Sequence, residues 1–142
     1  MIPTQDEWIH ALEVRHGMDL QQRFSAAAVA VCGLGGLGSH ISFALARAGI
    51  GKLILIDFDR VDITNLHRQQ YKAVQIGRYK TEALAENLKE IAPYLYTELH
   101  TVRITEENPA EFLKDADIIC EAFDCAQAKA MLANTVLTAM PE

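Results

Sequence analysis

A glycine-rich segment between two short apolar runs is the feature that most constrains how this chain can fold. The segment 33–38 reads GLGGLG and directly follows the apolar run 28–32, and a second apolar run at 53–56, preceded by Lys52, leads into Asp57. Continuous apolar runs of this length are typical of strands buried inside a parallel sheet. Because parallel strands need a crossover connection, the pattern predicts a β–α–β unit whose glycines follow its first strand.

Further apolar patterns extend this unit into a larger sheet. We expect strands at 28–32, 52–56, 96–104 and 117–122, and helices at 39–48, from 80 to Pro93, at 109–114 and at 126–140. The alternation of strands and helices predicts an α/β fold, Rossmann-like and doubly wound, with a mostly parallel sheet. The polar connection 58–79 lacks a clear period, and connections of this length are usually functional.

The chain divides into a helical lead-in at 1–24 and one domain at 25–142. Helical spacing in the lead-in suggests an apolar stripe, interrupted at Gly17, that consists of Trp8, Leu12, Met18 and Leu20. The last predicted helix runs to residue 140, where a doubly wound fold normally begins another strand. We therefore expect the domain to be incomplete at its carboxyl end.

The composition excludes several classes of protein. Hydrophobic residues form 50% of the 142 residues and charged residues 23%, which excludes a disordered tail or a disulfide-dense mini-protein. The formal charge of −6 argues against general nucleic-acid binding. No apolar run approaches the roughly 20 residues of a membrane-spanning helix, so we expect no membrane association.

The three cysteines show no metal-binding spacing. Cys32 and Cys120 lie within apolar runs, so we expect both to be small core residues, whereas Cys125 follows the fourth predicted strand. Because the chain has no CxxC pair, we expect no structural zinc site. Free cysteines are typical of a reducing compartment, which predicts a cytoplasmic protein.

The glycine segment and the acid after the second strand together predict a nucleotide site. Gly33 permits a tight turn, Gly35 lets the backbone approach a phosphate, and Gly38 lets the helix pack close to the strand. The helix N-terminus offers unpaired N–H groups and a partial positive charge to an anion. Asp57 can accept hydrogen bonds from ribose hydroxyls.

The polar connection favours a triphosphate over a nicotinamide cofactor. A triphosphate carries several negative charges, so its site needs cations and hydrogen-bond donors from side chains. Asn65, Arg68 and Gln69 supply two amides and a guanidinium. Lys80 supplies a further cation at the start of the next helix. Asp124, after the fourth predicted strand, could hold Mg²⁺, which prefers carboxylate and phosphate oxygens.

These motifs resemble those of the E1-like activating enzymes, in the ThiF/MoeB/HesA branch. The matching stretches are GLGGLGS at 33–39, the pattern D-x-D-x-V-x-x-x-N-L-x-R-Q at 57–69, Gly77 with Lys80, and Asp124. The opening at 14–17 looks most like the shorter ThiF-like proteins of thiamine biosynthesis. The combined spacing is far more specific than a glycine motif alone.

The resemblance implies ATP-dependent adenylylation of the C-terminal glycine of a ubiquitin-like, ThiS-like sulfur-carrier protein by a homodimeric adenylyltransferase. It also implies a place for Gly36 near the α-phosphate, for Asp57 on the ribose and for Asp124 on Mg²⁺. The implied phosphate-binding residues are Asn65, Arg68 and Lys80, with Gln69 and Asp59 in supporting roles. Arg68, Lys80 and Asp124 are then the candidate catalytic residues.

One feature departs from the family pattern, and another concerns the N-terminal segment. The family often has Asp-Asn-x-x-x-Arg around the metal-binding acid, and here Cys125 and Lys129 stand at the Asn and Arg positions. Many members also use an N-terminal arginine that reaches the ATP of the neighbouring subunit. Arg15 is the best candidate for that role, followed by Arg23.

Three other functions remain open. A tRNA-modifying dehydratase could use the same ATP site, although the acidic balance of the chain argues modestly against it. A nicotinamide-dependent oxidoreductase is disfavoured by the polar residues at 65–69. A non-catalytic nucleotide-binding module is the third alternative.

Overall fold

Four parallel strands form the sheet on which the rest of the chain packs. They are β1 (Ala28–Cys32), β2 (Lys52–Ile56), β3 (Tyr96–His100) and β4 (Ile118–Glu121). The computed structural model describes residues 1–139 and gives the strand order β3-β2-β1-β4. All three neighbouring pairs are parallel. The predicted α/β, Rossmann-like fold is therefore confirmed.

Helices and two short 3₁₀ turns connect and flank these strands. The helices are α1 (Gln5–His16), α2 (Met18–Ala26), α3 (Gly36–Ala48), α4 (Lys80–Ile91), α5 (Pro109–Leu113) and α6 (Ala126–Ala139). Both 3₁₀ turns, Ile63–Asn65 and Ala73–Gln75, lie in the connection between β2 and α4. Within residues 1–139, no helix has the length and apolar character needed to cross a membrane.

The central strands have their predicted bounds, and the outer strands are shorter than predicted. β3 ends at His100 instead of residue 104, because its partner β2 ends at Ile56, which pairs with His100. β4 covers 118–121 instead of 117–122, because it pairs only with residues 29–32 of β1. Pairing with a neighbouring strand, rather than local composition, therefore sets these ends.

The helix that follows the glycine segment begins earlier than predicted. α3 starts at Gly36 rather than Ser39, and the Ser39 amide donates to the Gly35 carbonyl as in a regular helical turn. Glycine is a poor helix former, which is why composition alone placed the start later. At the other end of the chain, α5 ends one residue early, and the predicted end of the last helix at Met140 lies outside the described residues.

Alternate residues of the strands pack against helices on both faces of the sheet. On one face, Leu84 and Leu88 of α4 belong to the same buried cluster as Val29, Val31, Leu53 and Leu55. On the other, Leu113 of α5 and Leu132 of α6 cluster with Ala30, Cys32, Ile54 and Ile56. Burial on both faces explains why β1 and β2 are continuous apolar runs in the sequence.

The lead-in forms two helices, but the predicted apolar stripe does not continue into the second one. Trp8 packs against the core, whereas Met18 and Leu20 are 63% and 39% exposed. Gly17 separates the two helices, and the buried residue of α2 is Gln21. The side-chain amide of Gln21 donates to the Gly49 carbonyl. The division at residues 24 and 25 stays a prediction.

The buried layers give a direct test of the packing. We predict that Leu84→Ala lowers the free energy of unfolding by about 2–5 kcal/mol, because it leaves a cavity beneath the sheet. Leu20→Ala removes the same atoms from a partly exposed site, and we expect a loss of less than about 1 kcal/mol. Urea denaturation followed by circular dichroism measures both, and equal losses would contradict the described packing.

Candidate active site

A cleft of about 730 Å³ lies at the carboxyl ends of the strands. Its volume is within the range of small-molecule sites, roughly 300–1,000 Å³. Ten of the eleven predicted site residues line it, namely Gly33, Gly35, Gly36, Asp57, Asp59, Asn65, Arg68, Gln69, Lys80 and Asp124. The structure therefore brings together predicted residues from the segments that follow β1, β2 and β4.

The eleventh residue, Gly38, lies behind the cleft and has a packing role. A Cβ atom on Gly38 would lie 1.7 Å from the Gly33 carbonyl oxygen, so no side chain fits there. Gly33 itself has a φ of +95°, a conformation that glycine adopts without steric cost. The two glycines together let α3 start directly beneath the end of β1, with its N-terminus at the cleft.

Asp57 links the two loops that form the floor of the cleft. Its carboxylate is buried and accepts hydrogen bonds from the Leu34 amide at 2.7 Å and from the Asp59 amide at 2.8 Å. The two carboxylate oxygens offer about four acceptor positions in total. Asp57 therefore fixes the glycine loop against the end of β2 and keeps acceptor positions for a ligand.

Two cations face the cleft without a carboxylate partner. The Arg68 Nη1 atom lies 2.8 Å from the point where a Cβ on Gly36 would stand, so the guanidinium covers the glycine loop. Lys80 is only 6% exposed, and its backbone amide donates to the Asp59 carbonyl. Neither side chain forms an ion pair with any acid in the part of the chain that the structure describes. Together they place two cations without ion pairs in a cleft that Asp57, Asp59 and Asp124 also line.

The Gln69 side chain places a buried amide beside the glycine loop. Gln69 is 7% exposed, and its Oε1 atom has no hydrogen-bond partner among residues 1–139. Buried polar atoms without a partner are uncommon in folded proteins. Its Nε2 atom lies 3.5 Å from the Cβ position of Gly35, so the amide adjoins the glycine loop.

Asp124 follows β4 and stands exposed at the edge of the cleft. Its carboxylate makes no hydrogen bond within the described residues, so it does not cap α6 there. No group of three or more potential metal ligands occurs in residues 1–139. A single carboxylate is nevertheless compatible with Mg²⁺, which is often held by one or two carboxylates together with phosphate oxygens.

The chain matches the sequence model of a known protein family. The sequence model of the ThiF family matches residues 10–139, which is most of the chain and includes every residue of the cleft. The chain belongs to the ThiF family. The predicted resemblance to the E1-like ThiF/MoeB proteins is thereby confirmed.

Relatives of this ThiF-family chain include both adenylyltransferases and a tRNA-modifying dehydratase. It is 36% identical over 109 residues to the sulfur carrier protein adenylyltransferase of Thermus thermophilus, a match that covers 76% of this chain and 40% of the relative. It is 38% identical over 116 residues to the tRNA threonylcarbamoyladenosine dehydratase of Haemophilus influenzae, covering 80% and 44%. The chain thus spans less than half of either relative.

Two solved structures of Escherichia coli proteins in complex with ATP share the fold. The tRNA N6-threonylcarbamoyladenosine dehydratase TcdA superposes with a TM-score of 0.88 at 29% identity, over 98% of this chain and 59% of TcdA. MccB superposes with a TM-score of 0.78 at 29% identity, over 84% of this chain and 37% of MccB. ATP complexes are therefore known for similar ThiF-type folds.

The sequence did not single out a pair of side chains at the mouth of the cleft. The Arg103 guanidinium stacks over the Phe58 ring, 3.8 Å from its centre, and both residues line the cleft. The sequence predicts that residues 102–104 belong to the third strand. Because β3 ends at His100, these residues line the cleft instead. Phe58 stands between the two aspartates of the D-x-D pattern, and that position was the available signal.

Two of the residues predicted to act at the site lie away from this cleft. Arg15 and Arg23 are exposed on α1 and α2 and do not line the cleft of their own chain. A role for either at the site of a neighbouring subunit stays a prediction.

The linking role of Asp57 predicts a stability effect in the absence of any ligand. Asp57→Asn replaces one acceptor oxygen by an NH₂ group that faces a backbone donor, so we expect a loss of about 1–3 kcal/mol in the free energy of unfolding. The matched control Asp124→Asn changes an exposed carboxylate without a hydrogen bond and is expected to cost less than about 0.5 kcal/mol. Urea denaturation of both variants measures the difference, and similar values would contradict the linking role.

Proposed function

We propose that the protein is an adenylyltransferase that uses ATP to activate the C-terminal glycine of a ubiquitin-like sulfur-carrier protein. The observation that carries the proposal is the cleft, in which a glycine loop, a linking aspartate and two unpaired cations converge. The Thermus thermophilus relative is a sulfur carrier protein adenylyltransferase. Since the chain spans less than half of that relative, the activity belongs to the whole protein in which this domain acts.

In this proposal the cleft residues bind ATP from the ribose to the phosphates. Asp57 accepts hydrogen bonds from the ribose hydroxyls through the acceptor positions that its backbone contacts leave unused. Backbone amides near Gly35 and Gly36 and the N-terminus of α3 face the phosphates, where the helix dipole favours negative charge. The side chains of Arg68, Lys80 and Asn65 add donors to the same phosphates.

Three further residues complete the proposed site. Asp59 connects Asp57 to Lys80 through its backbone, because its amide donates to the first and its carbonyl accepts from the second. Gln69 supports the loop beside Gly35 and offers its free acceptor to a ligand or water donor. Asp124 would hold Mg²⁺ jointly with phosphate oxygens, and the ion would neutralise charge on the leaving pyrophosphate.

The reaction needs charge compensation rather than a general base. A C-terminal carboxyl has a pKa of about 3.5, so it is already ionised at neutral pH. One carboxylate oxygen attacks the α-phosphorus, and the bond from that phosphorus to the β-phosphate oxygen breaks, which releases pyrophosphate. The main barrier is repulsion between two anions, and Arg68 and Lys80 lower it by placing positive charge beside the phosphates.

The finer parts of the proposal concern the partner and the setting of the enzyme. We infer a ThiS-like carrier and a role in thiamine biosynthesis from the resemblance of the segment 14–17 to short ThiF-like proteins. We also propose a homodimer in the cytoplasm, since related enzymes supply an arginine to the neighbouring subunit and the chain has only free cysteines.

A second candidate function is an ATP-dependent, tRNA-modifying dehydratase. The observation that favours it is the superposition with TcdA, which has a TM-score of 0.88 over 98% of this chain, compared with 0.81 over 97% for a structure of MccB. The formal charge of −6 argues against an extended RNA-binding surface on this domain. A non-catalytic nucleotide-binding module would keep ATP binding and lack both reactions.

Pyrophosphate exchange tests the proposed function. Full-length protein with Mg-ATP and a purified carrier should return labelled pyrophosphate to ATP. We expect Arg68→Ala to lower the exchange rate by about 100-fold, because the variant loses a charged donor to the phosphates. Arg78→Ala is the matched control, since Arg78 lies in the same connection and pairs with Glu86 outside the cleft, and we expect a change below about twofold.

Each alternative gives a different result in the same assay. Exchange or ATP consumption that requires tRNA, and not a carrier, would favour the dehydratase and overturn the proposed function. ATP binding without exchange under any condition would indicate a non-catalytic module. Tight binding of NAD without binding of ATP would reject the nucleotide assignment altogether.

The cysteines offer a test of the cleft that needs no partner protein. Cys125 is exposed and lines the cleft, whereas Cys32 is buried in the sheet, and that burial raises the pKa of its thiol to about 12. We predict that iodoacetamide modifies Cys125 and spares Cys32 in the native protein, and that Mg-ATP slows the modification of Cys125. Peptide mass spectrometry measures both sites, with urea-unfolded protein as the control in which ATP gives no protection. Equal rates at Cys125 with and without ATP would contradict the proposed site.

A further inference from the structure

The His40 ring connects α3 to the loop that carries Arg68. Its Nε2 atom lies 3.1 Å from the Arg68 carbonyl oxygen, and its Nδ1 atom lies 3.0 Å from the Gln70 Nε2 atom. A carbonyl can only accept and an amide NH₂ can only donate. In these two contacts the Nε2–H group donates to the Arg68 carbonyl, and Nδ1 accepts from Gln70.

Neighbouring polar contacts attach the same loop to the glycine segment. The backbone amide of Gln70 donates to the Ser39 hydroxyl at 3.2 Å, and that hydroxyl donates to the Gly35 carbonyl. The Tyr71 hydroxyl donates to the Leu34 carbonyl at 2.6 Å, and burial raises the pKa of this phenol, so it remains a donor. Residues 68–71 are thus held to the start of α3 by specific hydrogen bonds.

The Arg68 side chain itself has no such fixed partner. Its guanidinium lies over Gly36, and no acid within residues 1–139 forms an ion pair with it. The direction of the side chain therefore depends on how its backbone is held. The Arg68 amide donates to the Asn65 carbonyl within the loop, whereas the Arg68 carbonyl is bonded by His40 from α3.

We propose that His40 is a positioning residue that sets the Arg68 guanidinium over the glycine loop for contact with phosphate. His40 lies one helical turn after Gly36, so α3 provides both the space for the guanidinium and the ring that bonds its backbone. His40 does not line the cleft, so it acts through Arg68 and does not touch the nucleotide. The inference rests on the proposed ATP site and deepens it.

Three substitutions at one position separate the two contacts of the ring. His40→Ala removes both contacts. His40→Gln can place an amide N–H near the former Nε2 atom, whereas the shorter side chain of His40→Asn reaches only the former Nδ1 position and can replace only the contact with Gln70. We expect His40→Ala and His40→Asn to lower kcat/KM for ATP in pyrophosphate exchange by about tenfold, since a lost hydrogen bond has effects of this order. His40→Gln should recover most of the loss.

A matched control and a double-mutant cycle test the route through Arg68. His67→Ala changes an exposed histidine next to Arg68, and the side chain of His67 has no hydrogen bond within the described residues. The exchange rate of this variant should stay within about twofold of wild type. In an Arg68→Ala background, His40→Ala should change the rate by less than about twofold, because contacts that act through a shared residue are not additive. Thermal denaturation confirms that each variant remains folded.

Several outcomes would overturn the inference, and they differ from failure of the proposed function. Wild-type activity in His40→Ala, no recovery in His40→Gln, or an undiminished effect in the Arg68→Ala background would each reject the positioning role. If wild type binds ATP without exchange, the proposed function fails, and calorimetric ATP affinities of the same variants then decide the role of His40. If wild type binds no ATP, both are rejected.

Discussion

The two hydrogen bonds that the Asp57 carboxylate accepts are the interaction on which the rest of the cleft depends. One comes from the glycine loop at Leu34 and the other from Asp59, so a single buried carboxylate fixes the ends of two neighbouring strands. The Asp59 carbonyl then accepts from the Lys80 amide, which places the start of α4. A charge-assisted acceptor is well suited to this role, because such hydrogen bonds are roughly twice as strong as neutral ones. The residue proposed to hold ribose is thus also a structural element of the domain.

The cleft combines features that favour the binding of an anion. Arg68 and Lys80 form no ion pairs in the described part of the chain, although the molecule carries a formal charge of −6. The buried Gln69 acceptor has no partner among the same residues. Elsewhere in the described residues, Arg78 and Lys72 pair with nearby glutamates. Arg68 and Lys80 leave positive charge available near the N-terminus of α3, where the helix dipole also favours an anion.

Local sequence predicted the parts of the fold that depend on local properties. β1 and β2 have their predicted bounds because continuous burial produces an unmistakable apolar run, and the glycine loop follows from residue identity. The predicted end of β3 was wrong because the length of this strand depends on its pairing with β2, which lies far away in sequence. The Arg103–Phe58 stack and the His40–Arg68 contact were missed for the same reason, since each joins segments about 30–45 residues apart. The spacing of motifs identified which residues meet, and only the structure gave the contacts that orient them.

Lys129, one of the two departures around Asp124, takes part in a contact that holds the loop before Asp124. Lys129 lies 3.0 Å from the Glu121 carboxylate, and the same carboxylate accepts the Phe123 amide at 2.7 Å. Glu121 is the last residue of β4 and Lys129 belongs to α6, so the pair connects the strand and the helix on either side of Asp124. A lysine can make this contact through one nitrogen, whereas an arginine would add a second parallel bond. The exposed Asp124 carboxylate has no hydrogen-bond or ion-pair partner in residues 1–139, so its oxygens are available to the proposed Mg²⁺.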